Sequence, residues 1–330
     1  MKSKLIRLAS LPEGMPREAN FNIDFEELPA MKTGEVLLKT LYISVDPYLR
    51  AKMAGGHKPP LITGDVMYSR AVAEVIDSAR PDFKPGDKVL GFLEWRDYLL
   101  YDGEGLTLIN NNRLPLSSYL GILGSTGLSA YFALTDIGQP KPGETLVVSG
   151  AAGAVGSIAG QIGKLMGCRV IGIAGSNEKV EWMRSKLGFD GGINYKTSPD
   201  IGTALANLCP DGTDVYFDNV GGIISDAVIS TMNDYGRVVV CGSIASYNDT
   251  APETGVRLLP LVVYKKLLIR GFLIADYKAC FNEGIHQLQQ WLTAGRLHYA
   301  ETIMDGFDKL PEAFIGLFEG KNEGKMIVRL

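Results

Sequence analysis

The segment Thr145–Gly156, Thr-Leu-Val-Val-Ser-Gly-Ala-Ala-Gly-Ala-Val-Gly, constrains this chain most. A β-branched run reads as a buried strand and stops at a glycine-rich turn. The alternation of small and apolar residues over Ser157–Met166 then predicts a helix. A strand, a glycine turn and a helix in this order can hold a dinucleotide pyrophosphate on helix N-terminal amides. The glycine register is Ala151-x-Gly153-x-x-Gly156, with Ala where the usual fingerprint begins with Gly, so Ala152, Gly153, Ala154, Val155 and Gly156 are the candidate phosphate contacts. The turn alone also fits a sheet that binds nothing. Because it starts at residue 145 of 330, a different module precedes it.

That first module is strand-rich. Val36–Ile43, Tyr68–Ile76 and Val89–Phe92 read as strands, separated by turn signals such as Asp46-Pro47 and Lys84-Pro85-Gly86-Asp87. A helix is expected from Tyr119–Leu123 on through Gly127–Leu134. From Thr145 strands and helices alternate. Strands are expected at Thr145–Ser149, Arg169–Ala174, a short run ending at Asn194, Asp214–Asp218, Arg237–Gly242 and Leu267–Ile274. Helices are expected at Glu178–Leu187, in a polar stretch after Asn194, near Ile223–Met232 and at Glu283–Ala294. This alternation predicts an α/β, doubly wound unit with six parallel strands covered on both faces. Met326–Leu330 reads as a strand that returns to the first module.

Composition excludes several classes. The chain is 46% hydrophobic and 21% charged with a net charge of −4, and no basic run points to nucleic acid. The start, Met1-Lys2-Ser3-Lys4-Leu5, lacks a signal-peptide core. The apolar stretch Leu258–Ile274 is broken by Lys265, Lys266 and Arg270, so no membrane span is expected. Cys168, Cys209, Cys241 and Cys280 lack metal-ligand spacing and read as reduced core thiols of a cytoplasmic protein. His286 and His298 read as helix-borne and structural. His57 reads as an exposed loop residue, with a place beside a substrate as the alternative.

A carboxylate at the end of the second strand would select NAD. Here that end reads Ala174-Gly175-Ser176-Asn177-Glu178-Lys179. Small residues leave room for a 2′-phosphate, Ser176 can donate a hydrogen bond and Lys179 a charge, which favours NADPH. Glu178 could reach the ribose, but at a helix start it is expected to face solvent. Asp218-Asn219-Val220-Gly221-Gly222 and Cys241–Asn248 follow later strands, where ligands of open α/β sheets sit.

Taken together, these motifs resemble the medium-chain dehydrogenase/reductase superfamily, within it the zinc-free prostaglandin reductase, alkenal double-bond reductase and curcumin reductase-like group. The residues that carry the likeness are Val45–Arg50, Gly124–Tyr131, Gly150–Gly156 with Gly160-Gln161, Ala174–Val180, Leu187–Asp190, Asn194–Lys196, Asp218–Gly222, Ser246–Asn248 and Gly320–Lys325. The resemblance implies a GroES-like β-rich catalytic domain at 1–124 and 298–330, and a Rossmann NADPH domain at 125–297. It implies that Lys179 and Tyr195 bind the 2′-phosphate. It also implies that Gly175, Ser176, Asn219, Cys241, Gly242, Ser243, Ile244, Tyr247, Phe272, Leu273, Ile274 and Asn322 line the cofactor site. Tyr247 would lie near the substrate carbonyl and Tyr48 on the opposite wall. Ser125 stands where the group often has Met or Leu, and Asp218 where it often has Glu. No cysteine precedes Cys168 and the one histidine before it is His57, so no zinc is expected.

The expected reaction is NADPH-dependent reduction of the C=C bond of an enone or enal. Hydride goes to the β-carbon, and the enolate is held by Tyr247 and a cofactor ribose hydroxyl. The α-carbon proton comes from Tyr247 or from water. A quinone reductase and a non-catalytic NADPH-binding protein are the alternatives. The apolar last strand of the nucleotide unit would be a sheet edge, so a homodimer is expected.

Overall fold

The computed structural model describes residues 1–56, 58–110 and 114–330. Its strands are β1 (Lys2–Leu8), β2 (Phe21–Glu27), β3 (Val36–Ser44), β4 (Tyr68–Ser78), β5 (Lys88–Glu94), β6 (Tyr98–Tyr101) and β7 (Thr107–Leu108). There follow β8 (Thr145–Ser149), β9 (Arg169–Ala174), β10 (Gly191–Asn194), β11 (Thr213–Asp218), β12 (Met232–Val240), β13 (Leu268–Gly271), β14 (Glu301–Asp305) and β15 (Lys325–Arg329). The helices are α1 (Tyr48–Met53), α2 (Ser125–Phe132), α3 (Gly156–Leu165), α4 (Asn177–Leu187), α5 (Ile201–Leu208), α6 (Gly222–Ser230), α7 (Leu259–Lys265), α8 (Phe281–Thr293) and α9 (Leu310–Glu319). The chain forms two compact units, one of Met1–Gly121 with Glu301–Leu330 and one of Ile122–Ala300.

In the first unit seven strands are built around the order β14-β15-β3-β4-β5-β7, with β6 also paired to β3, and β1 and β2 form a separate antiparallel pair. The C-terminal strand does return: Ile327 pairs with Ser44 and Arg329 with Tyr42. Trp95, Phe314, Leu38 and Met67 are fully buried in this unit's core. The Trp95 indole N–H donates to Ser69 Oγ at 2.9 Å, so the buried ring leaves no polar atom unpaired.

The second unit is a six-stranded sheet in the order β10-β9-β8-β11-β12-β13, in which every adjacent pair runs parallel. All five residues of β8 are buried, which explains its unbroken apolar run. The helices start and stop on local chemistry. Ser176 Oγ accepts the Lys179 N–H to open α4, Gly188 closes it at φ 72°, and Asp200 caps α5.

Several expected elements differ. The helix expected from Tyr119 is interrupted: Leu116–Leu120 is a 3-10 turn, and α2 begins only at Ser125. A Cβ on Gly127 would lie 1.8 Å from Ile122 O, so the chain crosses itself too closely for a continuous helix. The last parallel strand spans Leu268–Gly271, and Ile274–Cys280 is a 3-10 segment. The stretch expected to be a polar helix is α5, which carries Ile201, Leu205 and Leu208 to the core. His298 lies outside any helix; its backbone N–H and carbonyl both bond the Gln161 side chain at 2.8 Å. Cys280 is exposed, not core.

Candidate active site

The six parallel strands all end at one edge of the sheet, and the order of that edge collects the residues singled out from sequence. Central in it is the turn after β8. A Cβ on Gly156 would sit 2.4 Å from Gly150 O and 2.8 Å from Ala151 Cα, and one on Gly153 would sit 3.2 Å from the same oxygen. The turn therefore needs a bare backbone. Gly160 and Gly163 continue the requirement, because a Cβ on each would meet the Phe189 ring at 1.9 Å or Leu146 Cδ2 at 2.3 Å. The helix start is thus held tight to its strand.

On one side of this turn, β9 and β10 end together. A Cβ on Gly175 would lie 3.2 Å from Tyr195 Cε1 and 3.3 Å from Lys196 Cε. Ser176 and Lys179 open α4 beside them. Glu178 is exposed, and its carboxyl is held below its ordinary range by its own backbone N–H and the Ser176 hydroxyl. It is engaged at the helix start. Lys196 was not singled out as a ligand from sequence. It adds a second cation to the corner, and its adjacency to Tyr195 is the signal that could have found it.

On the other side, Asp218 organises the loops. Its Oδ1 accepts from Ser149 Oγ at 2.9 Å, Tyr216 Oη at 2.8 Å, Val220 N at 2.9 Å and Gly221 N at 3.0 Å. Asn219 donates its side-chain amide to Ser149 O at 2.8 Å. The Cys241 and Gly242 N–H groups donate to Asp218 O at 2.8 and 3.1 Å. This network ties the end of β8 to the ends of β11 and β12. A Cβ on Gly242 would be 3.3 Å from Asn219 O and 3.5 Å from Tyr247 Oη, so Gly242 is the gap through which these residues meet.

An open cleft of about 460 Å³ lies beside them, lined by Cys241, Gly242, Ser243, Tyr247, Phe272, Leu273 and Asp276 among others. Ile244 opens the 3-10 turn before Tyr247, and Ile274 opens the one after Leu273. Asp276 carried no sequence signal; its carboxylate accepts the Leu273 N–H at 3.1 Å and holds this wall. Burial pushes the Tyr247 phenol above its ordinary range, with Cys241 adding to it and a Ser243 backbone hydrogen bond opposing it. Tyr247 is thus a neutral hydrogen-bond donor at neutral pH. Burial and then Asp218 push the Cys241 thiol up to about 12, so it is not a thiolate nucleophile.

Tyr48 and Asn322 belong to the β-rich unit. Tyr48 opens α1, and its phenol is raised by burial first, then by Asp46 and Tyr68. The preceding Asp46 is buried; its Oδ1 accepts from Lys325 Nζ at 3.0 Å and its Oδ2 from Ser44 Oγ. Lys325 also donates to Val45 O at 2.7 Å and Met326 O at 3.0 Å. The C-terminal lysine therefore anchors the segment that presents Tyr48. Asn322 Nδ2 donates to Gly324 O at 2.8 Å in the turn just before it. His57 lies outside the described residues. Among the described residues, no group of three or more His, Cys, Asp and Glu could hold a metal ion.

Comparison with known proteins decides the family. A model described as the N-terminal domain of oxidoreductase matches residues 4–109, and one described as zinc-binding dehydrogenase matches residues 154–290. The chain is 49% identical to the putative NADP-dependent oxidoreductase YfmJ of Bacillus subtilis (strain 168), over 98% of this chain and 97% of that one. It is 42% identical to the NADPH-dependent curcumin reductase of Escherichia coli (strain K12), over 98% and 95%. This chain belongs to the medium-chain dehydrogenase/reductase superfamily, in its curcumin reductase group. The crystal structure of CurA from Vibrio vulnificus in complex with NADPH superposes with a TM-score of 0.93 at 41% identity, covering 99% of this chain and 98% of that one. Membership accounts for both units, the β-rich module and the doubly wound sheet.

Proposed function

We propose that this oxidoreductase uses NADPH to reduce the C=C bond of α,β-unsaturated ketones and aldehydes. The observation that carries the reading is the Tyr247 phenol, half-buried at the cleft and kept protonated, beside the bare backbone of Gly242. The tight glycine turn at 150–156 fits a pyrophosphate, and the corner of Gly175, Ser176, Lys179, Tyr195 and Lys196 is small and basic enough for a 2′-phosphate. Ala152–Gly156 would hold the former, and Asn219, Cys241–Ile244, Phe272–Ile274 and Asn322 would complete the cofactor site. When bound, NADPH supplies the hydride for the substrate β-carbon. As that bond forms, negative charge grows on the carbonyl oxygen, and the Tyr247 hydroxyl donates to it. Tyr48, whose phenol burial also keeps neutral, is the residue of the β-rich unit assigned to the substrate. In this reading no zinc takes part, because a protonated phenol does the work of a Lewis acid.

The catalytic domain is assigned to 1–124 and 298–330 and the NADPH domain to 125–297. No described helix is long and apolar enough to cross a membrane, and the four cysteines are free, which supports a cytoplasmic enzyme. We assign the working form as a homodimer. All of β13 is exposed at the sheet edge, and Leu259, Val263 and Tyr264 of α7 expose more apolar surface nearby. Sedimentation at micromolar concentration is expected to give twice the chain mass; a single-chain mass would remove the assignment.

NADPH oxidation with a straight-chain enone and with a simple quinone, each repeated with NADH, tests the reaction. Faster turnover of the enone with NADPH is expected, and turnover of the quinone alone would point to a quinone reductase. The Lys179→Gln variant is expected to weaken NADPH binding roughly tenfold or more while NADH binding stays within about twofold. Equal losses with both cofactors would remove Lys179 from phosphate recognition.

A further inference from the structure

We propose that Asp218 is the fixed negative charge that sets the balance between the two redox forms of the cofactor, holding NADP+ more tightly, relative to NADPH, than a neutral residue would. Asp218 is the last residue of β11 and is 3% exposed. Four donors converge on its Oδ1: the hydroxyls of Ser149 and Tyr216 and the main-chain N–H groups of Val220 and Gly221, all within 3.0 Å. An oxygen that takes four hydrogen bonds and gives none is that of an ionised carboxylate. Among the described residues no lysine or arginine pairs with it, whereas the buried Asp46 of the β-rich unit has Lys325 at 3.0 Å. Hydrogen bonds therefore hold this charge in place without cancelling it.

The main chain of Asp218 carries one wall of the cleft. The N–H groups of Cys241 and Gly242, which line the cleft, donate to the Asp218 main-chain O at 2.8 and 3.1 Å. The side-chain charge is felt there: after burial, Asp218 is what pushes the Cys241 thiol up. Asn219, next in the chain, is fixed by one of the same hydroxyls, because Ser149 Oγ accepts its main-chain N–H at 2.9 Å. When bound, the cofactor's nicotinamide is neutral in NADPH and carries one positive charge in NADP+. Across about 10 Å of protein interior, one unit charge favours another of opposite sign by roughly tenfold in binding constant. The same field favours the hydride's departure, because positive charge grows at the cleft as the C–H electron pair leaves. This inference rests on the proposed reading, which places the nicotinamide at the cleft that holds Tyr247, the donor to the substrate carbonyl.

The test is the dissociation constant of NADP+ and of NADPH, by calorimetry, for the wild type, Asp218→Asn and Tyr216→Phe. Asp218→Asn keeps an accepting oxygen and removes the charge. The ratio of the NADP+ constant to the NADPH constant is therefore expected to rise about 3- to 30-fold. A merely structural role would weaken both forms alike and leave the ratio where it was. An unchanged ratio, whatever the loss in affinity, overturns the proposal. Tyr216→Phe keeps the carboxylate and removes one of its donors, so less of the charge is offset and the ratio is expected to fall at least about twofold. If Asp218→Asn does not fold, this variant carries the test, and a ratio that is unchanged or that rises overturns the proposal. The two forms share the adenosine, its 2′-phosphate and the pyrophosphate, so Lys179→Gln is expected to weaken both and to leave the ratio within about twofold. A shift there as large as in Asp218→Asn overturns the proposal. A ratio that moves as expected, in an enzyme that reduces no enone, strikes the proposed reaction and leaves this role of Asp218 standing. Wild-type protein that binds neither form overturns this role and the cofactor reading together.

Discussion

Replacing Tyr247 by Phe is expected to lower kcat for an enone by about 10²–10³-fold, the usual cost of removing one oxyanion donor. The ring stays, so the cleft keeps its shape and the NADPH dissociation constant is expected to move by less than about twofold. The enone KM should change far less than kcat, because the lost bond strengthens only as charge develops on the carbonyl oxygen. The pH profile supplies a second readout. Burial raises the phenol above its ordinary value, so the donor is in its active, protonated form at neutral pH and is lost only as pH rises through the raised pKa. Wild-type kcat is therefore expected to be flat through neutral pH and to fall only in strong alkali, and that alkaline limb should vanish in the Phe variant. Steady-state kinetics across pH check both points. Unchanged turnover in a folded variant would remove Tyr247 from the reaction.

Gly156→Ala is expected to cost about 1–3 kcal/mol of stability and to weaken NADPH binding at least about tenfold. The added methyl would lie 2.4 Å from Gly150 O and 2.8 Å from Ala151 Cα, and both obstacles are main chain. The turn can yield only by opening, which displaces the helix start from its strand. Gly153→Ala meets the same oxygen at 3.2 Å and is expected to do less harm. Gly160→Ala meets a ring, Phe189, well along the helix, so it should lower the melting temperature with a smaller effect on cofactor affinity. NADPH titration and thermal melts of the three variants give the ranking. Wild-type affinity in Gly156→Ala would contradict the tight-turn account.

The elements that were legible from sequence are those whose pattern comes from burial alone. Strand β8 is apolar throughout because it is covered on both faces, and α4 carries its own cap and stop in Ser176 and Gly188. The break before α2 was not legible, because it arises where the main chain at Ile122 passes Gly127, a contact no local pattern records. The β1–β2 pair was missed for a similar reason. Its strands mix charges with apolar residues, as in Lys2–Leu8, and pair across a long connection. His298 was misplaced because its partner, Gln161, is distant in sequence.

The candidate site follows the same division. In a parallel sheet every strand end falls on one edge, so reading the residues after each strand was enough to bring Gly175, Asn219 and Tyr247 to that edge. Asp276 escaped because a single acid three residues past Leu273 carries no pattern of its own, and its bond to the Leu273 N–H shows only in the folded loop.

The most direct measurement is the position of the label after reaction of an enone with NADPH deuterated at its transferable position, read by NMR of the product. The account predicts a saturated ketone with deuterium on the former β-carbon and the carbonyl intact. An allylic alcohol with deuterium on the carbinol carbon would contradict it, because the hydride would then have gone to the carbonyl and not to the double bond.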